Sequence, residues 1–133
     1  MIPEPIPELL AEAVERARVA ATTAFTENYE RTAPKTPEEA YQRQAEEAAK
    51  DAWRQVSRFP APMRTRHLAR HYDVAEISIR RWRRIWRETG KLTGPRWDAV
   101  NSQTVLYRKS DVVAAMVIER IGTPPAPSRF AAE

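Results

Sequence analysis

The chain has 133 residues, 22 basic against 18 acidic, for a formal net charge of +4, and no cysteine. That length holds one compact domain, or a small domain with an extension, and excludes a large multidomain enzyme. The missing cysteines exclude disulfide frameworks, Cys-type zinc fingers and thiol nucleophiles together. No apolar run approaches the roughly 18 residues of a bilayer span. Met1-Ile2-Pro3-Glu4-Pro5 has neither the basic region nor the apolar core of a secretion signal. A cytoplasmic protein with no membrane role is expected.

The net charge conceals a division. Residues 1–57 hold 7 bases and 11 acids, a net of −4, whereas residues 58–133 hold 15 bases and 7 acids, a net of +8. A basic half points to a polyanionic partner, and opposite halves point to two tasks. Arginine outnumbers lysine 18 to 4. Its planar fork grips phosphates and guanine edges through paired hydrogen bonds.

Residues 1–58 read as a helical hairpin. Pro7 suits a first helical position, and no glycine or proline interrupts the chain from there to about Arg31. Ile6, Leu10, Ala13, Ala17, Ala20 and Ala24 recur at three-and-four spacing. Thr32-Ala33-Pro34-Lys35 breaks this pattern. Thr36 then caps a second helix, with Pro37 at its first position and Glu39 completing a capping box. That helix is expected to reach about Arg58, with Tyr41, Ala45, Ala48, Ala52 and Val56 along one face and Trp53 beside it. An alanine seam removes little apolar surface from water, at roughly 25 cal/mol per Å². The hairpin therefore needs a partner. The expected one is a second copy, in a dimer or higher oligomer, the alternatives being docking to another protein or packing on the chain's own second half.

Phe59-Pro60-Ala61-Pro62 is the linker, because two prolines one residue apart cannot lie in a helix interior. Residues 63–121 follow a different plan. Thr65 is expected to cap a short helix carrying Leu68, Ala69 and Tyr72 inward, and Asp73-Val74 makes a turn. A second helix runs from Glu76 to Thr89 and stops at Gly90. At 100° per residue, Ile79, Trp82 and Trp86 fall within an arc of about 60°. Ile77, Arg81, Arg84 and Glu88 lie opposite, with Arg80 and Arg87 on one shoulder. Two helices joined by a tight turn, apolar within and arginine-studded without, describe a helix-turn-helix. Arg96-Trp97, a polar turn at Asn101-Ser102-Gln103 and the alternating Thr104-Val105-Leu106-Tyr107 then make a β-hairpin wing. Ser110 is expected to cap a last helix bearing Val112, Val113, Met116 and Val117. The fold class is mainly α, a helical hairpin followed by a winged helix-turn-helix, and residues 122–133 are expected to be a mobile tail.

This half resembles a known family. Leu68-Ala69-Arg70-His71-Tyr72-Asp73-Val74, Ser78-Ile79-Arg80-Arg81-Trp82, Gly90-Lys91-Leu92 and Tyr107-Arg108-Lys109-Ser110-Asp111-Val112 are similar to an AlpA/excisionase-type winged helix, related to the MerR DNA-binding domain. The resemblance covers about residues 63–118. It implies regulation in a prophage or mobile element, as a transcriptional regulator or an excision factor, with an integrase or RNA polymerase as further partner. Three departures stand out. Asp73 replaces the usual turn glycine, Ala75 replaces the usual Ser or Thr cap, and Ile85-Trp86-Arg87-Glu88 lengthens the second helix by about a turn.

Duplex DNA is the expected partner. Arg81 and Arg84 are expected at base edges or nearby phosphates, and Arg80 and Arg87 on the backbone. Ser78 joins them at the helix start, and Ile77 faces a thymine methyl. Arg96, Asn101 and Gln103 would set the wing on the minor groove or its phosphates. Two other readings remain: a phage small-terminase-like packaging component, and an adaptor whose arginines bind an acidic protein. His67 and His71 stand four apart with no evident third ligand, so no metal site is expected. No cofactor motif, nucleophile–base set or paired carboxylates stand out, and no enzymatic activity is expected.

Overall fold

The computed structural model describes residues 6–22, 36–90, 94–101 and 103–125. The described residues form five helices and a small antiparallel sheet: α1 (Glu8–Thr22), α2 (Pro37–Val56), β1 (Met63–Arg64), α3 (Thr65–Tyr72), α4 (Glu76–Thr89), β2 (Asp98–Ala99), β3 (Val105–Tyr107) and α5 (Lys109–Ile121). No helix among them is long and apolar enough to cross a membrane. Several sequence expectations lie outside the described residues: Ala24 and the first helix beyond Thr22, the break at Thr32–Lys35, Lys91-Leu92, Ser102, and the tail from Ala126.

Local chemistry sets the hairpin's ends. The Pro7 carbonyl accepts from the Ala11 N–H at 2.9 Å, so Pro7 precedes α1 rather than opening it. At α2, the Thr36 hydroxyl accepts from the Glu39 N–H at 3.1 Å with Pro37 in the first turn. The Glu39 carboxylate reaches Arg43 at 3.2 Å. α2 stops at Val56, two residues before the expected Arg58, where the Ser57 hydroxyl donates to the Arg54 carbonyl at 2.7 Å.

The alanine seam is internal. Leu10, Ala13 and Ala17 of α1 are fully buried, as are or nearly are Tyr41, Ala45, Ala48, Ala52 and Val56 of α2, and Ala20 is half-buried. α2 lies against both α1 and α5. Trp53 Nε1 donates to the Val14 carbonyl at 2.9 Å, and the Tyr41 hydroxyl donates to the Gly122 carbonyl at 2.9 Å. Leu10, Ala13, Ala17, Tyr41, Ala45, Ala48, Ala52 and Val56, expected at an oligomer interface, are instead enclosed by the chain itself, whereas Ala20 stays half-buried. The missing apolar surface comes from α5, which buries Val112, Val113, Ala114 and Val117. One hydrophobic cluster runs through both halves, from Leu10 to Val117, so the proline segment links parts of one core.

The α3–α4 corner is built from backbone geometry. Asp73 adopts the left-handed conformation, φ 55°, ψ 49°. Its N–H meets the Arg70 carbonyl at 3.3 Å, and the Val74 N–H meets the Ala69 carbonyl at 3.0 Å. These two bonds close a Schellman-type stop. Aspartate is one of the few residues other than glycine to visit this region readily. Ala75 precedes α4 without a side-chain cap. At the far end Gly90, φ 73°, donates its N–H to the Trp86 carbonyl at 2.8 Å.

The sheet has the order β1-β3-β2, with Met63 opposite Tyr107 and Asp98 opposite Leu106. The expected hairpin forms with Asp98–Ala99 rather than Arg96-Trp97 as its first strand, and β1 adds a strand that the sequence did not announce. Two residues are too short to display a period of two, and Met63 lies just after the prolines. Two caps also move. Thr65 opens α3 instead of capping it, and α5 begins at Lys109 after Arg108, which places Ser110 inside the first turn.

Candidate functional site

α4 is held by its apolar side. Ile79 and Trp86 are buried and Trp82 is half-buried. The Trp82 ring meets Tyr72 of α3 edge-to-face with centroids 5.3 Å apart, and Trp86 meets Trp97 at 5.4 Å. Gly94 passes against Trp82 so closely that a Cβ there would lie 3.0 Å from its ring. Arg83 provides a polar brace, donating to the Tyr107 hydroxyl at 2.7 Å and to the Thr65 hydroxyl at 3.3 Å. Tyr107 is 1% exposed, and burial pushes its phenol above the ordinary value against the pull of Arg83. Arg83 was not singled out in the sequence. Its arginine neighbours look alike there, and only contact with β3 distinguishes it.

These anchors leave the opposite side of α4 in solvent. Ile77, Arg80, Arg81, Arg84 and Arg87 are all exposed, as the helical phase indicates, while Ser78 is half-buried. The four arginines have no ion-pair partner among the described residues. Some basic residues elsewhere are paired. Arg16 pairs with the buried Glu46 at 3.1 Å, Arg18 with Glu15 at 2.7 Å, Arg43 with Glu39, and Lys50 with Glu47 at 3.4 Å. Like charges three or four apart on a helix repel by a few tenths of a kcal/mol each. Arg80–Arg84, Arg81–Arg84 and Arg84–Arg87 have that spacing. Exposed arginines at Arg66 and Arg70, one turn apart on α3, extend the positive charge beyond α4 and were missing from the sequence-based set.

The hairpin contributes less than expected. The Asn101 side-chain oxygen accepts from the Gln103 N–H at 2.8 Å and the Thr104 N–H at 2.7 Å, so Asn101 shapes the turn. Gln103 is exposed near the tip, with Val100. Arg96 is half-buried with its Nε enclosed; burial raises the Asp111 carboxyl, and the charges of Arg108 and Arg96 oppose that rise only in part. Arg96 is thus less exposed than Asn101 and Gln103, the other residues expected at the minor groove or its phosphates. Arg108 pairs with Asp98 at 2.9 Å across β2 and β3, an exposed contact worth about 0–1 kcal/mol.

His67 lies in the first turn of α3 and His71 in its last. His67 Nδ1 accepts from the Arg64 N–H at 3.0 Å, which fixes the Nε2–H tautomer. The Phe59 ring lies against both imidazoles, at 6.2 Å from His67 and 6.0 Å from His71. Burial and the charges of Arg66, Arg70 and Arg64 hold His67 below the ordinary histidine value, and burial with Arg58 does the same for His71. The folded state therefore favours neutral rings, and the unfolded chain takes up protons first as pH falls. The contribution of these rings to stability is complete above about pH 6.5 and is lost as pH drops from there through the depressed folded values. Urea midpoints should be lower at pH 5.5 than at pH 7.5, with a smaller difference in a His67→Gln/His71→Gln variant. An equal or higher midpoint at pH 5.5 would contradict this assignment.

Comparison with protein families, with curated proteins and with solved structures finds no match to this chain.

Proposed function

We propose that this chain is a sequence-specific duplex-DNA-binding protein of the winged helix-turn-helix kind. α3, the Asp73 turn and α4 form the helix-turn-helix, α4 enters the major groove, and the β2–β3 hairpin is the wing. The role follows the resemblance of residues 63–118: regulation of transcription or direction of excision in a mobile element. The observation that carries the reading is the row of Arg80, Arg81, Arg84 and Arg87, exposed without an ion-pair partner among the described residues on a helix whose other side is fixed by Ile79 and Trp86. Mutually repelling charges with no ion-pair partner among the described residues suit a polyanion, and the fork of arginine suits both phosphates and guanine.

Salt dependence tests it. Each neutralised phosphate lowers the logarithm of the binding constant by about 0.9 per tenfold increase in salt. The four arginines of α4, with Arg66 and Arg70, neutralise four to six phosphates according to whether Arg81 and Arg84 meet bases or phosphates, which gives a slope of about −3.6 to −5.4 on duplex DNA. Failure to retain duplex DNA at low salt would sink this reading and favour an acidic protein as partner.

A further inference from the structure

Most large apolar side chains exposed among the described residues gather on the elements just assigned to DNA. Val74 lies in the turn before α4, Ile77 on α4 and Val100 at the hairpin tip, and only Val19 of α1 lies elsewhere. Ile77 is the most open of them, at 63% exposed. Its exposed neighbours along the chain are Val74 in the turn and Glu76, Arg80 and Arg81 on α4, so charged groups outnumber apolar ones around it.

Position makes the residue informative. Ile77 stands four residues before Arg81 and seven before Arg84, on one stripe of the helix. A groove floor that receives those guanidinium groups also meets the Ile77 side chain. The major groove displays one apolar group there, the C5 methyl of thymine. We propose that Ile77 is a specificity residue that reads a thymine methyl beside the bases met by Arg81 and Arg84. The inference rests on the DNA-binding reading above and adds the chemical feature recognised.

Uracil differs from thymine only by that methyl and keeps the same base pairing. A duplex selected from random sequence for binding to the full chain is resynthesised with each thymine replaced singly by uracil. At one or two positions near the arginine-contacted bases the wild-type chain should lose about fourfold in affinity, the loss of one buried methyl. Ile77→Ala should weaken binding to the thymine duplex and bind the thymine and uracil forms equally. Arg66→Ala, on α3 rather than on the stripe of Ile77, Arg81 and Arg84, should keep the discrimination while weakening both forms alike. Retention of duplex DNA without thymine–uracil discrimination overturns the role of Ile77 and leaves the DNA reading standing. Discrimination that survives Ile77→Ala overturns it equally, and no duplex binding at all removes both. Because Ile77 is exposed, thermal melting of Ile77→Ala should match the wild type, which keeps a folding defect from imitating the result.

Discussion

Replacing Trp86 by alanine is expected to cost about 3–5 kcal/mol of folding stability, the largest effect of any single change on α4. Trp86 is 6% exposed and packs edge-to-face on Trp97, itself 6% exposed. Truncation removes most of a large aromatic side chain and leaves Trp97 facing a void that the surrounding backbone cannot fill. The paired rings add about 0.5–1.5 kcal/mol beyond the area they bury. Trp86→Phe keeps an aromatic group and should cost much less. Urea denaturation reads both variants as a shift in midpoint at constant slope. A loss below about 1 kcal/mol for Trp86→Ala would mean that α4 is held by other contacts, such as the Arg83 brace. The same substitution bears on function, because Trp97 leads directly into β2. Loosening this contact should free the hairpin to shift relative to the arginines of α4.

Arg81→Ala and Arg84→Ala should each weaken binding to a cognate duplex by about 1–3 kcal/mol, while binding to unrelated duplex falls much less. Arg80→Ala and Arg87→Ala should instead weaken binding evenly across sequences and reduce the salt slope by about one each. The contrast follows from phase. Arg81 and Arg84 share the stripe farthest from Ile79 and Trp86, whereas Arg80 and Arg87 lie on its shoulder. All four are exposed and lack ion-pair partners among the described residues, so their loss should leave thermal stability within about 0.5 kcal/mol of the parent. Binding isotherms on cognate and scrambled duplexes, each at two or more salt concentrations, separate the pairs. Equal losses for all four on every duplex would reduce α4 to a nonspecific phosphate grip.

Much of this molecule was legible where the cause is local. Thr36-Pro37 marks the start of α2 because the cap, the proline and the first turn act within four residues. The period of Ile79, Trp82 and Trp86 gives the inner side of α4, and with it the outward direction of the arginines. Asp73 could be recognised as a turn residue because its left-handed backbone depends on its own side chain. Distant groups were not legible. Arg96 reads as one more exposed base, but the fold encloses its Nε and sets its charge near Asp111. Asn101 reads as a polar contact, but two backbone N–H groups of its own turn take up its oxygen.

The division of charge, the helical class of the chain and the arginine stripe of α4 were determined by sequence alone. Each depends on composition or on spacing within one helix, and neither needs a distant partner. What covers the alanine seam was decided only by the tertiary structure. A seam of small residues specifies close approach but not by whom, and a second copy would satisfy that pattern as well as α5 does. The choice rests on contacts between residues far apart in the chain, such as the Tyr41 hydroxyl on the Gly122 carbonyl, 81 positions away. Packing of α5 on α2 joins the acidic and basic halves into one core, and so fixes the base from which α4 presents its arginines.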